Sequence, residues 1–350
     1  MNHEPVTMNL SNLVRPNILH LKPYSSARDE FKGKEGIFLD ANENPFGKLN
    51  RYPDPGQKAL KEKLASKNNI SPAEIFIGNG SDEVIDLLFR VFCEPGKDKV
   101  VICPPTYGMY EVCAGINNIE VVKIPLAIDF QIDVKRLSDL DLKEHNVKMI
   151  FLCSPNNPTG NILNNIDEVL ESFKGIVVVD EAYADFSDSK SWMDKIASYP
   201  NLVVTQTMSK AWGLAAARIG IAYANPEIIA FLNKVKPPYN VSTLNQEAAL
   251  KALDNQAVFK KQKQKIQEQK SYLQRELIKL KFVKYIYPSD ANFLLVEVTD
   301  ANFIYDELVT SRIITRNRHS VIQNCIRITV GTKSENQKLL QKLEQLTISE

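Results

Sequence analysis

This chain has almost no surplus of charge of either sign. Its 350 residues carry 43 Lys and Arg against 42 Asp and Glu, a net charge of +1. That balance gives no electrostatic reason to grip a polyphosphate backbone or an anionic membrane surface, and it makes a small molecule the default ligand. No apolar run reaches the length needed to span a bilayer. Residues 1–21 alternate polar and apolar positions around Pro5 and Pro16, without the basic start and unbroken apolar core of a signal peptide, so a cytoplasmic protein is expected. Cysteine is scarce and odd in number: Cys93, Cys103, Cys113, Cys153 and Cys325 include no C-x-x-C pair and read as reduced, buried thiols. Histidine is scarcer still. His3, His20, His145 and His319 lie far apart and form none of the short zinc motifs, so no metal site is expected. There is no internal repeat and no low-complexity linker, and no helix-turn-helix precedes residue 40, which argues against a DNA-binding regulator.

What is present is an enzyme-sized chain whose length suits one large domain and one smaller one. Between residues 75 and 224, short apolar runs at 75–77, 100–103, 121–124, 149–153, 176–179, 202–205 and 219–222 alternate with amphipathic stretches. Buried runs separated by helical patterns predict an α/β fold with a mainly parallel seven-stranded sheet covered on both faces. Ligands of such sheets gather at the carboxyl ends of the strands. Residues 242–280 lack proline and glycine and predict one long helix or two, with the Lys- and Gln-rich part 260–270 facing solvent. After Pro288 a strand at 293–298, a helix at 302–311, a strand at 325–330 and a final helix predict a small α+β domain. The expected division is an N-terminal segment 1–45 packing on the small domain or a partner subunit, a large domain 46–270, and a small domain 271–350.

Candidate chemistry sits where those strands end. Lys210 follows the strand 202–205 in Thr207-Met208-Ser209-Lys210, with Arg218 just before the next strand. Two hydroxyls and a guanidinium beside one amine supply what a phosphorylated aldehyde needs, anion donors next to a nucleophile. Asp180, in Asp180-Glu181-Ala182-Tyr183, ends the strand 176–179. It reads as an acid that stops a strand, as a ribose-binding acid of a dinucleotide enzyme, or as the partner of a pyridine nitrogen whose ring accepts electrons. Ser154-Pro155-Asn156-Asn157-Pro158-Thr159-Gly160 is a turn after another strand, in which Asn157 is placed to hold a polar ring substituent. Gly78-Asn79-Gly80-Ser81-Asp82-Glu83 joins a strand to a helix start, an anion site by its free amides. It lacks the third glycine of a dinucleotide fingerprint. Tyr107, in Pro104-Pro105-Thr106-Tyr107, offers an aromatic face for a planar ring.

Taken with Pro23-Tyr24-Ser25-Ser26-Ala27-Arg28, Asn42-Glu43-Asn44-Pro45-Phe46-Gly47, Arg51-Tyr52-Pro53-Asp54, Ser289-Asp290-Ala291-Asn292-Phe293 and Arg327-Ile328-Thr329-Val330-Gly331, these blocks resemble the fold type I aminotransferases of the aspartate aminotransferase superfamily. The resemblance covers essentially the whole chain. More narrowly, the chain resembles the histidinol-phosphate aminotransferase family, and the order of the blocks is as specific as their content. The resemblance implies pyridoxal 5′-phosphate as cofactor, a homodimer, and transamination of L-histidinol phosphate with 2-oxoglutarate to imidazole acetol phosphate and glutamate, in histidine biosynthesis. It implies Lys210 as the Schiff-base lysine, Asp180 on the pyridine nitrogen, Asn157 and Tyr183 on the phenolic oxygen, and Tyr107 stacked on the ring. Ser81, Asp82, Thr207, Ser209, Arg218 and a Tyr52 reaching over from a second subunit would hold the cofactor phosphate. Arg327 would take the α-carboxylate of glutamate or 2-oxoglutarate and the phosphate of histidinol phosphate, with Arg316 and Tyr24 as further contacts. Two departures stand out: Ala216 occupies a position where many members carry glycine, and the stretch from Arg316 to Arg327 is short.

The neighbouring alternatives on the same scaffold are an aromatic amino-acid aminotransferase, or a threonine-phosphate decarboxylase, which needs only a different bond held perpendicular to the ring. An NAD-dependent oxidoreductase would explain Asp180 and the parallel sheet, but leaves Lys210, Arg218 and the asparagine turn without a task. A non-catalytic pyridoxal-binding regulator would need an added DNA-binding module.

Overall fold

The computed structural model describes residues 8–24, 36–138 and 146–346. Of the residues singled out above, His3, Pro5, Ser25, Ser26, Ala27, Arg28 and His145 lie outside the described residues. In chain order, α1 (Pro16–Leu19) and α2 (Lys58–Asn68) precede β1 (Ile75–Asn79) and α3 (Ser81–Phe92). There follow β2 (Lys99–Ile102), α4 (Met109–Ile116), β3 (Glu120–Lys123), α5 (Val134–Ser138), β4 (Val147–Cys153), α6 (Ile166–Ser172), β5 (Ile176–Asp180), β6 (Leu202–Thr207) and β7 (Ile219–Ala224). The chain continues through α7 (Pro226–Val235), α8 (Thr243–Asp254), α9 (Gln256–Leu277), β8 (Val283–Ile286), β9 (Phe293–Val298), α10 (Ala301–Thr310), β10 (Arg316–Asn317), β11 (Cys325–Thr329) and α11 (Lys333–Glu344).

Every predicted run between 75 and 224 is a strand, and together they form one seven-stranded sheet in the order β1-β7-β6-β5-β4-β2-β3. Five of its strands pair in parallel, while β7 runs against both of its neighbours, β1 and β6. The runs are unbroken rather than alternating because both faces are covered. Ile150, Leu152, Val177 and Val179 bury into one core, while Met149, Phe151, Ile176 and Val178 bury into the other. Successive strand side chains point to opposite faces, so each face receives every second residue. A second sheet, β10-β11-β9-β8, is antiparallel and carries a separate core with α10 and α11.

The structure adds one strand that was not expected, decides between one helix and two, and places part of the N-terminal stretch. The second sheet begins before Pro288: β8 is half exposed and includes Lys284 and Tyr285, so it lacks the apolar signature of the central strands. The glycine-free stretch is two helices, α8 and α9, which break at Asn255 where ψ turns to 49°. Residues 10–18 pack within this chain, on the helices that cover the large sheet. Leu10, Val14 and Ile18 join the core beneath α3 and α7. Arg15 donates its backbone N–H to Val91 O at 2.9 Å and pairs with Glu94 at 3.2 Å.

The turn from β1 into α3 depends on two glycines. Gly80 caps the helix at φ 84°, a left-handed conformation that favours glycine, and offers no side-chain cap to the first amides. Gly220 on β7 lies so close to the backbone of Gly80 and Ser81 that a Cβ there would overlap it. The helix start is therefore pressed directly against the sheet.

Candidate active site

The carboxyl ends of β4, β5 and β6 and the start of α3 open onto a cavity of about 370 Å³. Ser81, Asp82, Tyr107, Asn157, Asp180, Tyr183, Thr207, Ser209, Lys210, Arg218, Arg316 and Arg327 all line it. Tyr24 and Tyr52 do not. Tyr24 is 72% exposed. Tyr52 stacks on Tyr239 with centroids 4.4 Å apart and lines a different cavity together with Glu43, Arg51 and Leu244.

Lys210 follows β6 in a tight turn, with Gly213 N–H bonded to its carbonyl at 3.2 Å. Its amine faces the open cavity, 5.6 Å from the centre of the Tyr183 ring. Burial pulls the ammonium below its ordinary value, and Arg327 and Arg218 pull in the same direction against Asp82 and Asp180. A lysine so placed gives up its proton more readily and is the better nucleophile and base.

Asp180 closes β5 and is 3% exposed. Burial raises its carboxyl above the usual range, opposed by hydrogen bonds from Tyr110 and Ala182. The Tyr110 hydroxyl donates to Oδ2 at 2.6 Å, and the Ala182 N–H donates to Oδ1 at 3.2 Å. A buried carboxylate with neutral donors alone lacks the cation that would let it ionise freely.

One end of the cavity collects anion donors. Thr207 Oγ1 and Ser209 Oγ lie 3.0 Å apart, and Arg218 Nη1 donates to Ser209 Oγ at 3.4 Å. Asp82 here contributes its carboxylate inward, accepting from Tyr107 at 3.0 Å and pairing with Arg218 at 3.4 Å. What residue 82 can offer an anion is thus its backbone N–H in the first turn of α3, not its side chain. Arg218 adopts φ 51°, a strained setting for a non-glycine residue, directly before β7. Ala216 is an exposed residue of the 3-10 turn Ala215–Ala217.

The opposite end is walled by arginines from the small sheet. Arg327 Nη1 donates to Asn157 Oδ1, and its guanidinium lies 5.2 Å from the centre of the Phe293 ring. The shortness of the stretch between Arg316 and Arg327 is that of a compact hairpin, which sets these two residues opposite each other in the β10-β11 ladder. Burial pushes the Tyr183 hydroxyl up to about 12, against the pull of Arg327.

Two further lining residues were given no role in the sequence: Cys153, the last residue of β4, and Arg318, two residues after Arg316. Tyr110, three residues after Tyr107, reaches the site through its hydrogen bond to Asp180. The i, i+3 tyrosine pair and the Arg-x-Arg alternation were the signals available. The five cysteines are buried and unpaired, and no cluster of metal-binding side chains exists among the described residues.

The chain matches the family model for aminotransferase class I and II over residues 30–343. It is 53% identical to the histidinol-phosphate aminotransferase of Christiangramia forsetii, covering 97% of this chain and 98% of that one. It is 51% identical to the histidinol-phosphate aminotransferase of Cytophaga hutchinsonii, covering 97% of this chain and 99% of that one. The crystal structure of histidinol-phosphate aminotransferase from Sinorhizobium meliloti in complex with pyridoxal-5′-phosphate superposes with a TM-score of 0.77 at 26% identity, covering 88% of this chain and 90% of that one. With a lysine, a buried acid and an anion pocket at the ends of one doubly covered sheet, and with relatives this similar over nearly its full length, the chain belongs to the class I and II aminotransferases and, within them, to the histidinol-phosphate aminotransferase family.

Proposed function

We propose that this enzyme transfers the amino group of L-histidinol phosphate to 2-oxoglutarate, yielding imidazole acetol phosphate and glutamate, with pyridoxal 5′-phosphate as cofactor. The observation that carries this reading is one cavity lined by a lysine amine, a buried acid, Arg218 from the large sheet and Arg316, Arg318 and Arg327 from the small one. The donor set fits the cofactor. Ser81, Thr207, Ser209, Arg218 and the first-turn amides of α3 would hold its phosphate. Asp180, whose buried carboxylate has only neutral donors, would gain its missing cation from a protonated ring nitrogen. Asn157 and Tyr183 would meet the phenolic oxygen, and Tyr107 the ring face.

When bound, the cofactor supplies an aldehyde that captures the substrate amine and a ring that accepts the electrons released at the substrate's α-carbon. The chain supplies the rest. Lys210 Nζ, poised by its lowered proton affinity, would take the proton from the substrate's Cα. Arg327 and Arg316 would hold the anionic far end of the substrate and so orient its Cα toward Lys210. The amino donor and 2-oxoglutarate bind in turn at the same arginines, so the reaction is ping-pong.

The exposed apolar side chains Leu39, Phe46 and Leu49, at 89%, 81% and 68% exposure, lie in the same stretch as Tyr52. They support a homodimer in which Tyr52 reaches the neighbouring cavity. The division at residues 46 and 271 and a cytoplasmic location belong to the same reading. The test is the visible spectrum of the purified protein before and after L-histidinol phosphate, with 2-oxoglutarate then added. Bleaching of the yellow band and its return support both half-reactions. A yellow protein unmoved by histidinol phosphate, or carbon dioxide release from phosphothreonine, overturns the assignment of the donor.

A further inference from the structure

β10 and β11 set Arg316 opposite Arg327. Two residues on, Arg318 N–H donates to Cys325 O at 2.9 Å and continues the ladder. Alternation along β10 therefore puts Arg316 and Arg318 on one face, together with Arg327 across the pair, and all three line the cavity that holds Lys210. None of the three forms an ion pair among the described residues. The Nε atoms of both Arg318 and Arg327 are buried without a hydrogen-bond partner. Burial lowers Arg318 to about 10, and the charges of Arg327 and Arg316 act in the same direction. Three guanidiniums gathered on one wall without a counter-charge favour an anion entering from the cavity.

The size of that anion follows from the number of donors. A carboxylate presents two oxygens and one charge, which a single guanidinium fork satisfies. A phosphate monoester presents three oxygens and about −1.5 to −2 charges at neutral pH. We propose that Arg318 is a specificity-determining residue that completes, with Arg316 and Arg327, a clamp for the phosphate of the amino donor and thereby favours a phosphorylated donor over a carboxylate-tailed one. This rests on the donor assigned above and names the residue that sets the preference.

The test compares Arg318→Gln and Arg318→Lys holoenzymes with the unaltered one. The ratio of kcat/KM for histidinol phosphate to that for glutamate falls about 10- to 100-fold in Arg318→Gln, chiefly through KM, and by less in Arg318→Lys. An unchanged ratio, whether both activities hold or both fall together, overturns the proposal. Inorganic phosphate, used as a competitive inhibitor of the glutamate half-reaction, binds about 10-fold more weakly to Arg318→Gln; equal inhibition of the two proteins also overturns it. If the unaltered enzyme accepts glutamate but not histidinol phosphate, the assigned donor is wrong, and the phosphate inhibition still decides whether Arg318 grips a phosphate.

Discussion

That Lys210 and Asp180 would line a cavity was legible in the sequence because Asp180 ends an apolar run and Lys210 comes three residues after β6, and the end of a buried strand is where a polar side chain must open toward a ligand. Lys210→Ala is expected to abolish transamination while leaving the far-ultraviolet circular dichroism unchanged; substantial residual turnover would refute the role of Lys210. Tyr110 was not legible. It lies in the helix α4, fully buried, and looks like core packing until its hydroxyl is seen 2.6 Å from Asp180. That bond stabilises the ionised acid and works against the burial that raises its proton affinity. Tyr110→Phe therefore raises the Asp180 pKa further, and the acid limb of the kcat/KM profile moves to higher pH. A profile superimposable on that of the unaltered enzyme would show that Tyr110 only packs.

Among the elements, the strands of the large sheet were readable and the edges of the small sheet were not. A strand covered on both faces must be apolar at every position, a signal that survives in the sequence. β8, with two exposed residues, and β10, with two residues in all, carry no such signal, because only their pairing partners define them. Yet β10 is the element that delivers Arg316 and Arg318. The β1–α3 turn shows the reverse case. Its glycines were read as an anion site, whereas Gly220, ten residues beyond Lys210, has its reason only in three dimensions, where it meets the Gly80 and Ser81 backbone. Gly220→Ala forces the helix start away from the sheet. The expected cost is about 1–3 kcal/mol of unfolding free energy, read as a lower urea midpoint, together with weaker retention of pyridoxal phosphate on dialysis. Normal stability and normal retention would mean that the turn yields freely.

For the molecule as a whole, the buried acids at the end of β5 determine how stability depends on pH. Burial raises both Asp180 and Glu181 above their ordinary 3.8 and 4.5. Glu181 accepts from Ser191 at 2.5 Å, Trp192 at 2.7 Å and Gln206 at 2.9 Å, and these bonds oppose the shift without reversing it. The native cofactor-free protein thus keeps protons that the unfolded chain has already lost. Its stability is lost as pH rises from the ordinary carboxylate range through the raised native values. The urea midpoint of the cofactor-free protein should fall as pH rises above the ordinary carboxylate range, and Glu181→Gln should flatten that fall. A midpoint that rises over this range would contradict the raised values. Cofactor binding should diminish the Asp180 part of the effect by giving it a cation.

The meeting of the two sheets also belongs to this scale. Tyr183 and Ala211 of the large sheet's loops pack with Ala291 and Phe293 of the small sheet. Asp290 N–H bonds to Gly160 O at 2.7 Å, and Lys270 Nζ donates to Ser289 O at 2.7 Å. These contacts bring the arginine wall over the lysine. The sequence by itself determined the doubly covered sheet, the cluster of reactive residues at its strand ends and the family, because burial on two faces and local turn chemistry are written in neighbouring residues. Only the tertiary structure decided that Tyr110 backs Asp180, that Arg318 joins Arg316 and Arg327, and that residues 10–18 pack on the helices covering the large sheet. Each of those depends on contacts between segments far apart in the chain, whose distances no local pattern encodes.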